Sequence, residues 1–301
     1  VFTIPTETNL GQAQIHFSAI GSLTNLHTTN FIHRFEIQEF RRPEFEVSAN
    51  NETPGPYFAG ESTVVSVEAN YYAGGPLPNA DVTWEVSKTT SNYSPPNWPD
   101  FIFGSWSPWW ILTGHDEFGD QSSSDDSDYQ TYSGKTNTAG IHFLNINFEK
   151  DQKMKPVSIN AQATVMDVNR QAWTTSTNLL VHPSDLYVGL HSERYFVEKG
   201  TPLKIDAIVT DLDGKPVEDR AVDVKAARLD WKYFEGRWSE VESDVQTCVI
   251  SSGLEPIQCE FQTPLGGSYR ITAIVEDGKS RKNMTEMTRW VSGGKRIPAR
   301  K

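Results

Sequence analysis

Two stretches of this chain share one pattern that decides the fold class: YYAGGPLPNADVTWEV at 71–86 and VTDLDGKPVEDRAVDVKA at 209–226. Each consists of a β-rich run, a Gly-x-Pro turn, a short polar linker and a second alternating run. Glycine permits a positive φ and proline presets φ, so each stretch is predicted to form a β-hairpin. Two matched hairpins so far apart in the sequence indicate tandem copies of one β-domain.

The remaining sequence supports an all-β fold. Helix signals are almost absent, and short alternating runs are separated by clusters of Gly, Pro, Asn and Asp, which is typical of β-sandwiches. The predicted strands are Gln12–Phe17, Phe31–Phe40, Glu44–Ala49, Thr63–Ala69, Val82–Val86, Ile141–Phe148, Ser158–Met166, Thr177–Val181, Leu186–Leu190, Leu203–Thr210, Val222–Ala227, Gln246–Ile250, Gln258–Gln262, Tyr269–Val275 and Met287–Val291. We therefore expect tandem antiparallel β-sandwiches of the fibronectin-III or immunoglobulin-like type.

Two similar joins suggest where the domains meet. The segments at 40–47 and 181–188 both run strand, proline, strand, and proline suits a point where the chain leaves one sheet for the next domain. Glycines that precede alternating runs at 10–17, 139–146 and 266–273 are predicted to be equivalent positions of the repeat. The predicted organisation is 1–40 as the last strands of a truncated domain, 41–182 and 183–292 as complete domains, and 293–301 as a linker.

The first segment, 1–40, is too short to bury both sheets of a sandwich. Its strand edges should be exposed, so we expect it to be disordered, to pack on the middle domain or to pair with another copy. The opening residues, VFTIPTETN, have no basic start followed by an apolar run, so no signal peptide is recognised and an internal fragment of a longer protein is expected.

Charge and hydropathy exclude two classes of partner. The net charge of −12 argues against nucleic acid, which requires clustered Lys and Arg. No apolar run approaches the roughly 20 residues that a membrane span needs, so no membrane contact is expected.

The middle domain is predicted to carry an insertion at about 89–134. It begins with the aromatic segment, YSPPNWPDFIFGSWSPWW at 93–110, and continues into an acidic tract at 116–128 that is too polar to fold alone. The aromatic side chains could cover an open edge or end of their own sandwich, or they could form an intermolecular or interdomain contact. The candidate interaction residues are Trp98, Phe101, Phe103, Trp106, Trp109 and Trp110.

The two cysteines, Cys248 and Cys259, suit a bridge between adjacent strands of a hairpin with Gly253 and Pro256 at its turn. An even count in a β-rich, exported chain favours a disulfide, and two reduced thiols are the alternative. Neither His nor a second Cys pair lies nearby, so zinc is not expected.

Catalytic motifs are missing from the sequence. The seven histidines form no HExxH pattern, and no GxSxG elbow, phosphate-binding loop or GxGxxG is present. His115 and Asp116 adjoin a serine-rich tract, but a triad needs rigid orientation and this tract is expected to be mobile. We expect no catalytic residue, no metal and no cofactor, and therefore no enzymatic activity.

Several strings together resemble the macroglobulin-like domains of alpha-2-macroglobulins, particularly the bacterial type. They are FEIQEFRRPEFEVSA at 35–49, YFAGE at 57–61, the 71–86 stretch, the aromatic segment, VHPSDLYVGLHSERYFVEKGTPLKID at 181–206, VTDLDGKPV at 209–217 and the Cys248/Cys259 segment. The resemblance covers essentially the whole chain. It implies tandem sandwiches from the N-terminal half of a large protein in the periplasm or cell envelope, with a lipid anchor as a further expectation.

The resemblance also implies a function. Members of this family are broad-spectrum protease inhibitors: a protease cleaves an exposed bait segment, the scaffold rearranges and the protease is trapped, often with a thioester from a Cys-x-Glu-Gln motif. The nearest match here, Cys259-Glu-Phe-Gln262, has its Glu one place too early. The chain is therefore expected to be scaffold whose partners are neighbouring domains and, through the parent protein, target proteases. The alternative is a surface-exposed adhesion module that binds through the aromatic segment.

Overall fold

A computed structural model of the chain describes residues 11–18, 30–37, 44–106, 128–150, 154–234 and 237–293. Within these ranges all regular secondary structure consists of β-strands, which confirms the predicted all-β class. None of the described residues belongs to a helix with the length and hydrophobicity needed to cross a membrane.

The chain divides into two units, Val1–Phe45 and Glu46–Lys301. In the first unit, β1 (Gly11–Ser18) and β2 (Asn30–Ile37) form a two-stranded antiparallel sheet in which Gly11 lies opposite Ile37. The assignment of 1–40 as the end of a truncated domain stays a prediction.

The first sandwich consists of two sheets. Its three-stranded sheet has the order β3 (Phe45–Asn51), β5 (Ser62–Tyr71), β9 (Ile141–Asn147). Its five-stranded sheet has the order β4 (Tyr57–Phe58), β11 (Ala172–His182), β10 (Val157–Met166), β6 (Asp81–Thr90), β8 (Asp128–Lys135). The fully buried Trp84 of β6 donates its indole N–H to Nδ1 of His142 on β9 at 3.1 Å, so the two sheets face each other.

The second sandwich repeats this arrangement. Its three-stranded sheet has the order β12 (Tyr187–His191), β14 (Leu203–Thr210), β17 (Ile257–Phe261). Its other sheet has the order β13 (Phe196–Val197), β19 (Lys282–Val291), β18 (Gly267–Glu276), β15 (Ala221–Phe234), β16 (Arg237–Ser251), with β7 (Ser105–Trp106) added beside β19. Alternating apolar residues of both sheets, among them Val188, Leu203, Val224 and Ile271, form one buried core.

The two sandwiches have the same topology, which confirms the predicted tandem repeat. The repeated turns match at the level of single hydrogen bonds. Tyr71 N donates to Gly75 O and Gly74 N to Tyr71 O, each at 2.9 Å. Asp211 N donates to Lys215 O at 3.0 Å, and the N–H three residues after Asp211 donates back to its carbonyl oxygen at 3.2 Å.

The prediction that each stretch is a hairpin was wrong. The tight turns are present, but β5 and β6 belong to different sheets, as do β14 and β15, so each turn carries the chain across the sandwich. Asn79 and Asp219, with φ values of 55° and 58°, redirect the chain after the turn. A hydroxyl group then anchors the linker after the turn. The Thr136 hydroxyl accepts a hydrogen bond from the N–H of Ala80, and in the second copy the Ser252 hydroxyl accepts one from the N–H of Arg220.

The proposed equivalence of the glycines at 139–146 and 266–273 was also wrong. Gly140 precedes β9, whose counterpart is β17, whereas Gly267 lies at the start of β18, whose counterpart is β10. Gly140 is required for a different reason, since a Cβ there would lie 2.5 Å from the carbonyl oxygen of Ala69.

The insertion is smaller than expected. Strand β6 extends to Thr90, and β8 already begins at Asp128, where it pairs with Lys88. The predicted range of 89–134 therefore contracts to 91–127, of which 107–127 lies outside the described residues. Strand β8 had no apolar alternation to reveal it: its sequence is DYQTYSGK, and Tyr129 is exposed.

Candidate functional site: the aromatic segment on the second sandwich

The described part of the aromatic segment, 93–106, leaves the first sandwich after β6 and lies along the second. Ile102 and Leu190 of β12 exchange main-chain hydrogen bonds of 2.8 and 3.0 Å. Glu286 of β19 donates its N–H to Gly104 O at 2.7 Å, and Gly104 N donates to the Thr285 hydroxyl at 3.0 Å. The segment thus joins an edge strand of one sheet to β19 of the other and closes this side of the second sandwich.

The disulfide joins the sheets at the opposite side. Cys248 lies on β16, the edge of the larger sheet, and Cys259 lies on β17, the edge of the three-stranded sheet. The predicted disulfide is confirmed, but its placement within a hairpin was wrong, because β16 pairs with β15 and β17 with β14. Cys259 is buried in the core and Cys248 packs against that core.

Phe103 is the buried centre of the contact. It packs with Tyr187 and Ile208 on the outer face of the three-stranded sheet, and it is 5% exposed. A Cβ on Gly189 would lie 2.6 Å from Cζ of Phe103, so this glycine provides the space that the ring occupies. Val188 and Leu190, which flank Gly189 in the same strand, point instead into the core.

The segment also binds the second copy of the repeated turn. Trp98 donates its indole N–H to Gly214 O at 2.9 Å, and Tyr93 donates its hydroxyl to Leu212 O at 2.6 Å. Among the described residues, no comparable neighbour contacts the turn of the first copy, where a Cβ on Gly74 would meet nothing within 4 Å. Equivalent turns are therefore used differently in the two copies.

The end of the segment lies over a buried arginine. Ring centroids of Trp106 and Tyr195 are 5.4 Å apart, and the Arg289 guanidinium lies 5.1 and 4.9 Å from them. Arg289 is 2% exposed, and desolvation lowers its pKa.

A second polar contact lies where the sandwiches meet. His182, at the end of β11, forms a buried hydrogen bond of 2.8 Å between its Nδ1 and the Tyr187 hydroxyl, and its ring meets Tyr93 edge-on at 4.8 Å. Burial lowers the pKa of His182 to about 4 and, with a smaller effect of Tyr93, raises that of Tyr187.

Arg281 provides a further link between the sandwiches. Its guanidinium lies 4.0 Å from the Phe58 ring centroid, and its Nη1 is 3.7 Å from Glu61 of the first sandwich. On the second sandwich it binds Asp277 through Nε at 2.6 Å and Asp185 through Nη2 at 3.0 Å.

Four of the predicted interaction residues, Trp98, Phe101, Phe103 and Trp106, are thus placed against the second sandwich of the same chain. Trp109 and Trp110 lie outside the described residues, as do His115 and the acidic tract up to 127. Their role as a surface for another molecule stays a prediction. Within the described ranges, no group of three or more His, Cys, Asp or Glu side chains could hold a metal ion.

Sequence reasoning missed the groups that receive the segment. His182, Tyr195, Arg281 and Arg289 belong to no motif, and their partners lie far away in sequence. One signal was available: Arg289 lies between Met287 and Val291 on the alternating, core-facing side of β19, where an arginine is unusual.

No family model matches this chain. Among curated proteins, it is 22% identical over 275 residues to an alpha-2-macroglobulin homolog of Nostoc, covering 87% of the chain and 14% of that protein. It is 29% identical over 240 residues to the circularly permutated Ras protein 2 of Dictyostelium discoideum, covering 75% of the chain and 6% of that protein. The chain therefore spans only a small part of the curated relatives it matches.

Solved structures with this fold include the native conformation of Escherichia coli alpha-2-macroglobulin, with a TM-score of 0.57, 14% identity and coverage of 92% of this chain and 18% of that one. Salmonella alpha-2-macroglobulin reacted with methylamine gives a TM-score of 0.55 at 13% identity, covering 94% of this chain and 19% of that one. The resemblance expected from the sequence is confirmed: over nearly its whole length, this chain has the fold of a segment of the bacterial alpha-2-macroglobulins.

Proposed function

We propose that this chain is a scaffold segment of an alpha-2-macroglobulin-like protease inhibitor, in which it holds two macroglobulin-like domains in one relative orientation. The observation that carries the proposal is the aromatic segment, which extends from the first sandwich and is hydrogen-bonded to both sheets of the second. A trap that works by rearrangement needs parts that move as units, and a segment bound in this way would make the two sandwiches one such unit.

The domain boundaries predicted from the sequence, 41–182 and 183–292, are kept in this proposal. Strands β3–β6 and β8–β11 lie within the first range, and β12–β19 lie within the second. Strand β7 is the exception, because it comes from the first range and pairs in a sheet of the second. The two ranges would therefore be consecutive domains of one chain, with one strand of the first added to a sheet of the second.

The inhibitory activity belongs, in this proposal, to a longer protein that contains this chain. Cleavage of a bait, trapping of the protease and any thioester would involve other parts of that protein, and the disulfide and the family resemblance favour an exported, periplasmic location. The adhesion alternative gains no support from the four described aromatic residues, since their rings face the same chain.

A distance measurement between spin labels tests the scaffold role. Labels at Val168 on the first sandwich and Leu254 on the second, both exposed, should give one narrow distance distribution. The double variant Trp98→Ala with Phe103→Ala should broaden it, whereas Trp173→Ala, which removes a partly exposed ring from β11, should leave it unchanged. A broad distribution in the unaltered chain would contradict the proposal.

The assignment to an inhibitor needs an activity assay. The full gene product should protect a large protein substrate from trypsin, while the 301-residue chain alone should not. Inhibition by the chain alone would show that the active part lies within it, against the proposed scaffold role.

A further inference from the structure

Strands β15 and β16 together project beyond the rest of their sheet. The pairing of β15 with β18 ends at Leu229, which lies opposite Ser268, whereas the pairing of β15 with β16 continues to Phe234. At about 3.4 Å per residue, the residues from Asp230 onwards extend roughly 15 Å past the neighbouring strand. We call this part of the two strands, 230–234 and 237–241, the β15–β16 arm.

Ion pairs hold the base of the arm on both strands. Asp230 of β15 pairs with Arg228 and accepts a hydrogen bond from the Ser243 hydroxyl of β16 at 2.6 Å. On β16, Glu240 lies 2.5 Å from the guanidinium of Arg270, which belongs to β18. The arm therefore leaves the second sandwich in a defined direction.

The arm occupies the place that the aromatic segment has in the first copy. Asn79 and Asp219 are equivalent residues after the repeated turn, and at the same spacing Thr90, the last residue of β6, corresponds to Asp230. From this point the first copy continues into the aromatic segment and the second into the arm. In both copies the strand that returns, β8 or β16, pairs with the strand that left.

Both extensions leave their sandwich at the end from which the chain continues. In the first sandwich, Thr90 and Val181 near the end of β11 both lie opposite Val157. In the second, the base of the arm and Val291 at the end of β19 lie on either side of β18 where it begins, at Gly267. The arginine link to the first sandwich lies at the opposite end of β19. The arm thus points away from the first sandwich.

Aromatic residues are concentrated in the arm, as they are in the aromatic segment. The sequence DWKYFEGRWSEV at 230–241 contains two tryptophans, a tyrosine and a phenylalanine. Trp231 and Tyr233 are two positions apart on β15, so they lie on one face of the strand, and Tyr233 is 61% exposed. Tryptophan and tyrosine frequently anchor protein interfaces, and a two-stranded arm is only marginally stable without a neighbour. These properties suit a docking element.

We propose that the β15–β16 arm docks on the domain that follows this chain in the longer protein, as the aromatic segment docks on the second sandwich. The inference rests on the proposed function, in which the chain is one segment of a larger scaffold. The repeat selects the occupant: at the equivalent place in the first copy, an aromatic side chain reaches forward and packs on the outer face of the next domain's three-stranded sheet. Each domain then holds its successor through the same strand connection.

Hydrogen exchange of the arm in two forms of the protein provides the test. In the 301-residue chain alone, the amides of 231–233 should exchange rapidly, and in the full gene product they should exchange at least about tenfold more slowly. The turn at 252–256, at the other end of β16, should exchange equally in both forms. Equal exchange of the arm in both forms would contradict the proposal. Protection that rises with the concentration of the 301-residue chain would also overturn it, because it would assign the arm to a second copy.

A double variant tests the partner surface without relying on the stability of the arm. In the full gene product, Trp231→Ala with Tyr233→Ala should speed the exchange of a group of amides beyond Lys301 by at least about tenfold. Val249→Ala removes an exposed side chain of β16 outside the arm and should change their exchange by less than about twofold. Unchanged exchange beyond Lys301 in the double variant would overturn the proposal.

The trypsin assay on the same gene product separates this inference from the proposed function. Inhibition by the unaltered gene product, together with an arm that gains no protection, would contradict the role of the arm alone. Absence of inhibition would contradict the assignment to an inhibitor, whatever the exchange of the arm.

Discussion

The indole nitrogen of Trp98 donates a hydrogen bond to the carbonyl oxygen of Gly214 across 116 residues of sequence, at 2.9 Å. The acceptor belongs to the Gly-x-Pro turn of the second repeat, which therefore both reverses the chain and receives the aromatic segment. The main chain of Pro96 is so close that a Cβ on Gly214 would lie 1.9 Å from its carbonyl oxygen. A turn residue of one sandwich thus determines how a segment of the other is seated.

Alanine at the two equivalent turn glycines should separate backbone strain from this contact. Gly74→Ala meets open space at a φ of 96°, so it should cost about 1–2 kcal/mol of unfolding free energy. Gly214→Ala, at a φ of 76°, must also displace the Pro96 main chain and should cost at least about 2 kcal/mol more. Urea unfolding of both variants measures the difference, and equal costs would show that the Pro96 contact contributes nothing.

The Gly189 site should respond to side-chain volume alone. This glycine lies within β12 without a positive φ, so Gly189→Ala is disfavoured by side-chain volume: a Cβ would overlap the Phe103 ring at 2.6 Å and lie 3.1 Å from Cγ2 of Ile208. We expect a loss of about 1–3 kcal/mol, measured by urea unfolding.

Reducing the facing ring provides the control for that overlap. Phe103→Leu alone should be destabilising because it leaves a void, but in the Gly189→Ala background its cost should shrink, giving a favourable coupling energy. Strictly additive effects of the two changes would contradict the proposed fit between Gly189 and Phe103.

Loss of the disulfide should weaken the second sandwich. Cys248 and Cys259 are separated by 11 positions, and opening a loop of that size costs about 3 kcal/mol in the chain-entropy model. The double variant Cys248→Ala with Cys259→Ala should lose this amount in urea unfolding. A reducing agent should lower the stability of the unaltered chain equally and leave the double variant unaffected.

The free energy of unfolding should decrease as the pH is lowered, because of His182. Its pKa is about 4 in the folded chain against an ordinary value of 6.5, so between these values the unfolded state binds more protons. The stability that comes from burying neutral His182 is therefore fully present above pH 6.5 and is lost as the pH falls towards 4. The loss is roughly 3 kcal/mol of unfolding free energy at most. His182→Gln should flatten the dependence of unfolding free energy on pH in this window.

Asp277 affects the free energy of unfolding over a different pH range, so it does not obscure the test of His182. Burial alone would raise its pKa, but hydrogen bonds from Arg281, Lys279 and Asp185 lower it from 3.8 to about 2. Its contribution is therefore present above pH 3.8 and disappears only as the pH falls towards 2. An unchanged slope between pH 4 and 6.5 in His182→Gln would show that another group is responsible.

The strands themselves could be predicted because each repeats a local pattern. Alternation located most of the longer strands of both sandwiches, including β5 and β14, which precede the two copies of the repeated turn, but it did not locate β8. The sheet to which the strand after each turn belongs could not be predicted, because Asn79 and Asp219 redirect the chain by their backbone conformation and leave no pattern of polarity. The two-residue strands β4, β7 and β13 are too short to show any alternation.

Of the candidate site, the aromatic segment could be predicted from the sequence, but most of the residues that contact it on the second sandwich could not. Trp98 and Phe103 were conspicuous because aromatic residues are concentrated around them, whereas Gly189 was recognisable only once the segment lay beside it, and Arg289 was marked only by its unusual place on the core-facing side of β19. The pairing of Cys248 with Cys259 was predictable because only one pair exists, but which strands they join depends on sheet membership.

Strand β7 has a consequence for synthesis of the chain. Gly104 is made 181 residues before Thr285, the hydroxyl that receives its N–H. At about 5–20 residues per second, the aromatic segment would wait on the order of 10–40 seconds on the ribosome before β19 emerges. During that interval its rings lack the surface that covers them, so the nascent chain is most vulnerable to aggregation after the first sandwich is complete and before the second is finished.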